Sequence, residues 1–222
     1  MIDRFEGFPS EMIDFLWDLR FHNNKEWFDQ NRDRYKILLK EPMDQFGREM
    51  AARFSSIDPE ITAIPVVSRI NRDIRFSKDK SPYRDRKWVV FKQDTGNWKE
   101  KPVYYFEVRP ECYCYGMGFY CCKPETMKRF RQKIDAAPSV MEELIDRYCA
   151  QKEFVLDGDI YKKKFQTEYS EKMMDWYQRR SIVLQCEKPL GHNLYNREIL
   201  DEVEKGFRFL VPYHRYLIST VS

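Results

Sequence analysis

The hydrophobic pattern of this chain changes period twice, and that change limits its fold more than any single motif does. Up to about residue 60 the apolar residues recur at helical spacing. Met12, Phe15, Leu16 and Leu19 stand at i, i+3, i+4 and i+7 behind Ser10, a residue type suited to an N-cap. Asn23-Asn24 interrupts and recaps the chain, and Trp27, Phe28, Tyr35, Leu38 and Leu39 form a second stripe. Pro42 fits the first turn of a third helix whose inner face is Met43, Phe46, Met50 and Phe54. Asp58-Pro59 and Pro65 close this helical region.

From Val66 the period falls to two. Val66, Ile70, Ile74 and Phe76 alternate with Arg69, Asn71, Asp73 and Arg75, which predicts a strand over 66–76 with an apolar and a polar face. Arg72 is a charge on the apolar face, so it needs a partner there. Lys87–Gln93 and Val103–Arg109 flank the turn-like Asp94-Thr95-Gly96-Asn97 and predict a hairpin with a long connection. Cys112–Phe119 adds a strand with Tyr113, Tyr115, Met117 and Phe119 on one face. Strands in such succession predict an antiparallel meander with one face packed and the other partly open. After Pro124 helical spacing returns, through Met127, Phe130 and Ile134, then Met141, Leu144, Ile145 and Tyr148. Ser181–Cys186 reads as one more strand. Asn196 caps a last helix through Leu200, Val203, Phe207 and Leu210, with Pro212 starting its final turn or a short sequel. Helices, then strands, then helices make an α+β protein: N-terminal helices, a central mainly antiparallel sheet and C-terminal helices. At 222 residues, with no linker or repeat, the whole of 1–222 is expected to be a single domain.

Leu, Ile, Val and Phe make up about a quarter of the chain, enough to bury a core. The formal charge of +3 is nearly balanced, which argues against a generally DNA-coating protein. No signal peptide is readable in MIDRFEGFPSEMIDFLWDL, and apolar runs such as Trp88–Phe91 are too short to span a bilayer. The expectation is a soluble cytoplasmic protein without a membrane partner. Its six cysteines are then expected to be free thiols. Cys112, Cys114, Cys121 and Cys122 lack the spacing of a zinc knuckle, so no metal is expected. Gly116-Met-Gly118 lacks the third glycine of a dinucleotide fingerprint, and no other cofactor motif is present, so no cofactor is expected either.

One segment departs from the balance. Residues 69–87, RINRDIRFSKDKSPYRDRK, hold eight cations and three aspartates, a net +5 that leaves −2 for the rest of the chain. Guanidiniums projecting together suit bidentate binding of phosphate or carboxylate. Arg69, Asn71, Asp73, Arg75, Lys80 and Tyr83 are therefore the candidate ligand-binding residues, with Asp73 orienting the arginines and Tyr83 supplying a hydroxyl. Tyr105, Glu107 and Arg109 lie on one face of their strand and would extend the polar surface if that face adjoins Arg69 and Arg75.

The run R-x-x-R-D-x-R-F-S-x-D-K-x-P-Y, from Arg69 to Tyr83, resembles the signature of the domain-of-unknown-function 2461 family. The opening Gly7-Phe8 and Asn23-Asn24-x-x-Trp27-Phe28-x-x-Asn31-x-x-Tyr35 are similar to that family too, as are Tyr105, Gly118, Pro124, Arg131 and Ile134. Cys112–Cys122 and Lys162–Arg180 depart from the pattern. The resemblance implies a soluble α+β protein of bacterial type and brings no catalytic residues with it.

Three readings of function stand at this point. The first is a protein that binds, or acts on, a small phosphate- or carboxylate-bearing ligand at 69–87. The second is a nucleic-acid-binding module using the +5 segment and nearby aromatics, against which the near-neutral whole counts. The third is a structural or interaction domain in which the arginines form ion pairs with acids such as Glu107 or Glu111. A concave pocket favours the first, a long flat basic stripe the second, and full pairing of the arginines the third.

Overall fold

The computed structural model describes residues 4–93 and 96–221. Asp94 and Thr95 of the turn-like connection lie outside the described residues. Helix α1 (Glu11–Phe21) buries Met12, Phe15, Leu16 and Leu19, the face its spacing predicts. Ser10 precedes it, but its hydroxyl bonds the Glu11 carboxylate and caps no backbone N–H. Asn24 does cap α2 (Lys25–Gln30), accepting the Trp27 N–H at 2.9 Å. Next, α3 (Arg32–Tyr35) runs through a π-helical turn, Lys36–Lys40, into α4 (Glu41–Ile57). Pro42 sits in the first turn of α4, and Met43, Phe46, Met50 and Phe54 face inward.

A six-stranded sheet follows, in the order β1 (Ile64–Val67), β2 (Lys87–Lys92), β3 (Pro102–Val108), β4 (Cys112–Phe119), β6 (Val183–Pro189) and β5 (Val155–Asp157). Every pairing is antiparallel. Between β4 and β5 lie α5 (Pro124–Ala136) and α6 (Pro138–Cys149), and α7 (Glu171–Tyr177) precedes β6. The last helix, α8 (Glu198–Ile218), differs from expectation by running straight through Pro212. Tyr213, His214, Tyr216 and Leu217 beyond the proline are all buried, and that packing outweighs one lost helical hydrogen bond. Asn196 still accepts the N–H of Glu198 at 2.7 Å.

Alternation along the sheet divides its two faces. Val89 and Phe91 of β2, Tyr104, Phe106 and Val108 of β3, and Tyr113, Tyr115 and Met117 of β4 are buried against α4 and α8. Phe54 and Phe207 from those helices meet Tyr104, with ring centres 5.3 and 4.9 Å away. Trp88, Tyr105, Glu107 and Arg109 point the other way and line clefts. Gly116 and Gly118 share that second face, and a Cβ at either would run into a carbonyl of the neighbouring chain, Leu184 or Ile182. The close approach of β4 to that chain explains these glycines without any nucleotide.

The strand expected over 66–76 is the main correction. β1 ends at Val67, and the last ladder contact is the Ser68 N–H to Trp88 carbonyl bond at 2.8 Å. β2 begins only at Lys87, so residues 69–76 have no strand beside them to accept their backbone groups. The chain instead makes a long loop whose two limbs touch at an isolated Asn71–Tyr83 bridge. Ile70 is buried, Val66 and Ile74 are half-buried, and Phe76 is 95 % exposed, so the apolar face expected there does not form. Arg69, Asn71, Asp73 and Arg75 are exposed but do not stand in a strand row.

No described helix is long and apolar enough to cross a membrane. All six cysteines are free thiols. Among the described residues no three His, Cys, Asp or Glu side chains gather as a metal-ligand set.

Candidate functional site

The loop is held from outside before its charges come into play. Asn23, at the end of α1, uses its side-chain amide as a strand edge would. It donates to the Tyr83 carbonyl and accepts the Tyr83 N–H, both at 3.0 Å. The Tyr83 ring stacks on Phe28, with centres 4.1 Å apart, and the residue is 6 % exposed. Trp27 is half-buried between Phe15 and His22. Asn23, Phe28 and Tyr83 thus form an anchor that fixes the returning limb of the loop, and the charged residues follow from it.

Within the outgoing limb the charges satisfy one another. Arg75 pairs with Asp73 through two bonds of 2.9 and 2.6 Å, which hold the Asp73 carboxyl down at about 2. Arg72 pairs with Asp79 and reaches Ser77 at 3.3 Å, so it has the partner its charge requires, though on a loop and not on a strand face. The Ser81 hydroxyl and N–H, with Arg72, hold Asp79 well below the usual carboxylate range. Lys80 donates to the Ile74 carbonyl at 3.0 Å and closes the loop tip.

The returning limb reaches further. Asp85 takes Arg20 from α1 at 2.5 Å, and Arg20 also binds Glu111. Those bonds, Glu111 first, raise the Arg20 pKa. Glu107 receives Arg109 and, at 3.5 Å, Arg86. Arg84 is different. Its guanidinium donates to the carbonyls of Arg69 and Asn71 and lies 5.1 Å from the centre of the Trp88 ring. Among the described residues no carboxylate stands within ion-pairing distance of it, and burial lowers its pKa.

These side chains enclose a cleft of about 530 Å³ between the end of α1, the loop and the start of β2. Arg20, Arg72, Arg84, Arg86 and Arg109 line it, with Asp79, Asp85 and Glu111 as its acids. A second hollow of about 340 Å³ continues from it over Trp88, Val90, Tyr105 and Gly118, sharing Arg84, Arg86 and Arg109. A third, of about 770 Å³, lies against the outgoing limb and holds Arg69, Asn71, Asp73 and Arg75 beside Trp88, Trp98 and Tyr120. The expected site residues therefore separate. Arg69, Asn71, Asp73 and Arg75 share the third hollow, Lys80 braces the loop tip, and Tyr83 backs the first cleft while its ring serves as anchor.

Sequence reasoning underrated Arg84 and Arg86, which were only counted in the +5, and missed Arg20 altogether. The dense motif pointed to the first two. A single arginine in the last turn of α1 carries no signal of a partner 65 residues away.

Comparison with known proteins bears on the same residues. A family model described as "Conserved hypothetical protein (DUF2461)" matches residues 11–216, from α1 almost to the end of α8. No curated protein matches the chain.

Proposed function

Because the chain belongs to the DUF2461 family, whose description names no activity, its function has to be read from the clefts, and we propose that it binds a small phosphate- or carboxylate-bearing ligand in the arginine-lined cleft between α1 and β2. One observation carries this reading. Each of the other arginines of that cleft has a carboxylate partner, and Arg84, held rigid by two carbonyls and Trp88, has none among the described residues. A partly buried, fixed guanidinium without an anion is a preorganised receptor for one. The adjoining hollow over Val90, Tyr105 and Trp88 suits an apolar or planar part of the same molecule.

A small ligand is favoured over a nucleic acid because Asp79, Asp85 and Glu111 line the cleft and would repel a long polyanion. In this reading the chain works as one domain, since buried side chains from both ends share its core.

The test is thermal stabilisation by a panel of phosphorylated metabolites, oxo acids and short oligonucleotides, repeated with Arg84→Gln. A ligand at a hundred times its Kd stabilises by about 2.7 kcal/mol, which a melting curve detects. The expected result is a shift with a small anion that Arg84→Gln abolishes, while the ligand-free melting point changes little. An equal shift in the variant, or a response to oligonucleotides alone, would overturn the reading.

A further inference from the structure

A fourth hollow shares no residue with the first cleft, between α1 and β2, though it meets the third along Val67, Ser68, Arg69 and Asn71; it lies on the helix side of the loop and has Lys87 at its floor. We propose that Lys87 is a nucleophilic amine that condenses with a small carbonyl compound carrying an anionic group, with Tyr35 as the proton donor to the carbonyl oxygen.

Lys87 opens β2 on the face that carries Val89 and Phe91, so its side chain runs toward the core and the residue is 2 % exposed. Buried lysines are ordinarily paired with a carboxylate. Here the amine has two other partners, the Tyr35 hydroxyl at 2.9 Å and the Ser68 carbonyl at 2.5 Å, and no carboxylate within 4 Å among the described residues. Those two bonds take up both N–H groups of a neutral amine and leave its lone pair for a third direction. The cleft beside it holds about 470 Å³, room for a small ligand.

Its charges select the class of compound. Arg32, Lys36, Lys40 and Arg69 line the cleft; Lys40 holds its one lining acid, Asp44, at 2.8 Å, and Arg32 and Lys36 pair outside the lining with Asp29 and Glu41 at 2.6 and 3.6 Å, so Arg69 is the cation left to meet an anion. Arg69, one of the residues the sequence singled out, has no carboxylate in ion-pairing distance among the described residues. An anionic group at the mouth would set a carbonyl carbon near the amine. Lys36–Lys40 is also the π-helical turn, a distortion found often at functional sites.

The reaction balances without an outside oxidant or reductant. The Lys87 ammonium first gives up a proton, and its nitrogen bonds to the carbonyl carbon as the C=O π pair moves to oxygen; that oxygen takes the Tyr35 proton, and the proton released by the ammonium restores the phenol. In the N-protonated carbinolamine an N–H proton then passes to the hydroxyl, which leaves as water while the nitrogen pair forms C=N. Overall, one ammonium and one carbonyl give one iminium and one water. Burial supports the nucleophile, since it brings the Lys87 amine down to about 8; it pushes the Tyr35 phenol up to about 12, which keeps the proton on it until a developing alkoxide takes it. Asp44 acts against the lowering, and Lys40 and Arg84 act with it. An amine near 8 is substantially neutral at physiological pH, whereas an ordinary lysine is under about 1 % neutral.

The experiment is reductive trapping on the intact protein with glyoxylate and cyanoborohydride, followed by peptide mapping. Exposed Lys25 serves as the internal reference. Lys87 should label at least about tenfold faster than Lys25, by its larger neutral fraction. The ratio should fall with the uncharged methyl ester of glyoxylate, and Tyr35→Phe should slow Lys87 alone. Lys87→Met should lose the site while retaining the labelling of Lys25. Labelling of Lys87 no faster than Lys25 in the wild-type protein would overturn the proposal, as would an identical ratio for glyoxylate and its ester. Neither outcome depends on the Arg84 cleft, so the two readings fail separately.

Discussion

The two limbs of the loop between β1 and β2 carry similar charge and use it in opposite ways. On the outgoing limb, 69–80, arginines meet aspartates a few residues away, as in Arg75–Asp73 and Arg72–Asp79. On the returning limb, 81–87, the partners come from elsewhere: Arg20 on Asp85, Glu107 on Arg86, Tyr35 on Lys87 and Asn23 on Tyr83. Local pairs at the surface solubilise a loop and contribute little to its stability. Pairs between distant elements fix where the loop sits, and so hold in place the cleft that Arg84 and Arg86 line with Arg20. A charge count treats both limbs as one +5 patch, and only the span of each contact separates them.

This contrast can be broken most directly at Tyr83. Replacing it with Ala removes the Phe28 stack and a buried ring, and should cost about 3–5 kcal/mol in denaturant unfolding. A loss below about 1 kcal/mol would show the returning limb to be no anchor.

Lys87 gives the next effect, through pH. Its amine loses a proton near 8 in the folded chain and near the ordinary 10.5 in the unfolded one. Between those values the unfolded state binds more protons, so this group makes stability rise with pH there. The gain should be on the order of 1–3 kcal/mol, read as wild type minus Lys87→Met to cancel thiols and phenols titrating in the same range. A flat difference curve would show the amine to be solvated.

Arg20→Ala should cost about 1 kcal/mol, because its pairs are partly exposed, and the cost should shrink as salt is raised. The smallest effect belongs to the outgoing limb. Arg75→Ala should melt with the wild type, since the Arg75–Asp73 pair is solvent-exposed. A clear loss of melting temperature there would remove the distinction between the limbs.

Much of the fold was legible in the sequence. The alternation in β3 and β4 could be read as strands with a packed aromatic face because each has a neighbour on both sides. The same alternation over 66–76 misled, because no strand lies beside 69–76 to hold it. The site was legible as a region and not as a geometry. Arg84 meets two backbone carbonyls, and Lys87, at a polar strand start, is buried by Tyr35 from 52 residues upstream. Neither partner leaves a mark on local spacing. The side-chain role of Asn23 was hidden behind its neighbour, since Asn24 alone accounts for the cap of α2.

The π-helical turn at Lys36–Lys40 closes one residue wider than an α-turn. A chain shortened by one residue there would close as ordinary α-helix, at little cost to α4, whose inward side chains lie beyond it. The wide turn absorbs one residue locally, so the helices on either side would keep their phase, and the side chains within the turn, the buried Leu39 among them, are the ones such a change would move. Chain length across these five positions therefore acts on the wall of the Lys87 cleft, where Lys36 and Lys40 stand, and leaves the scaffold in place.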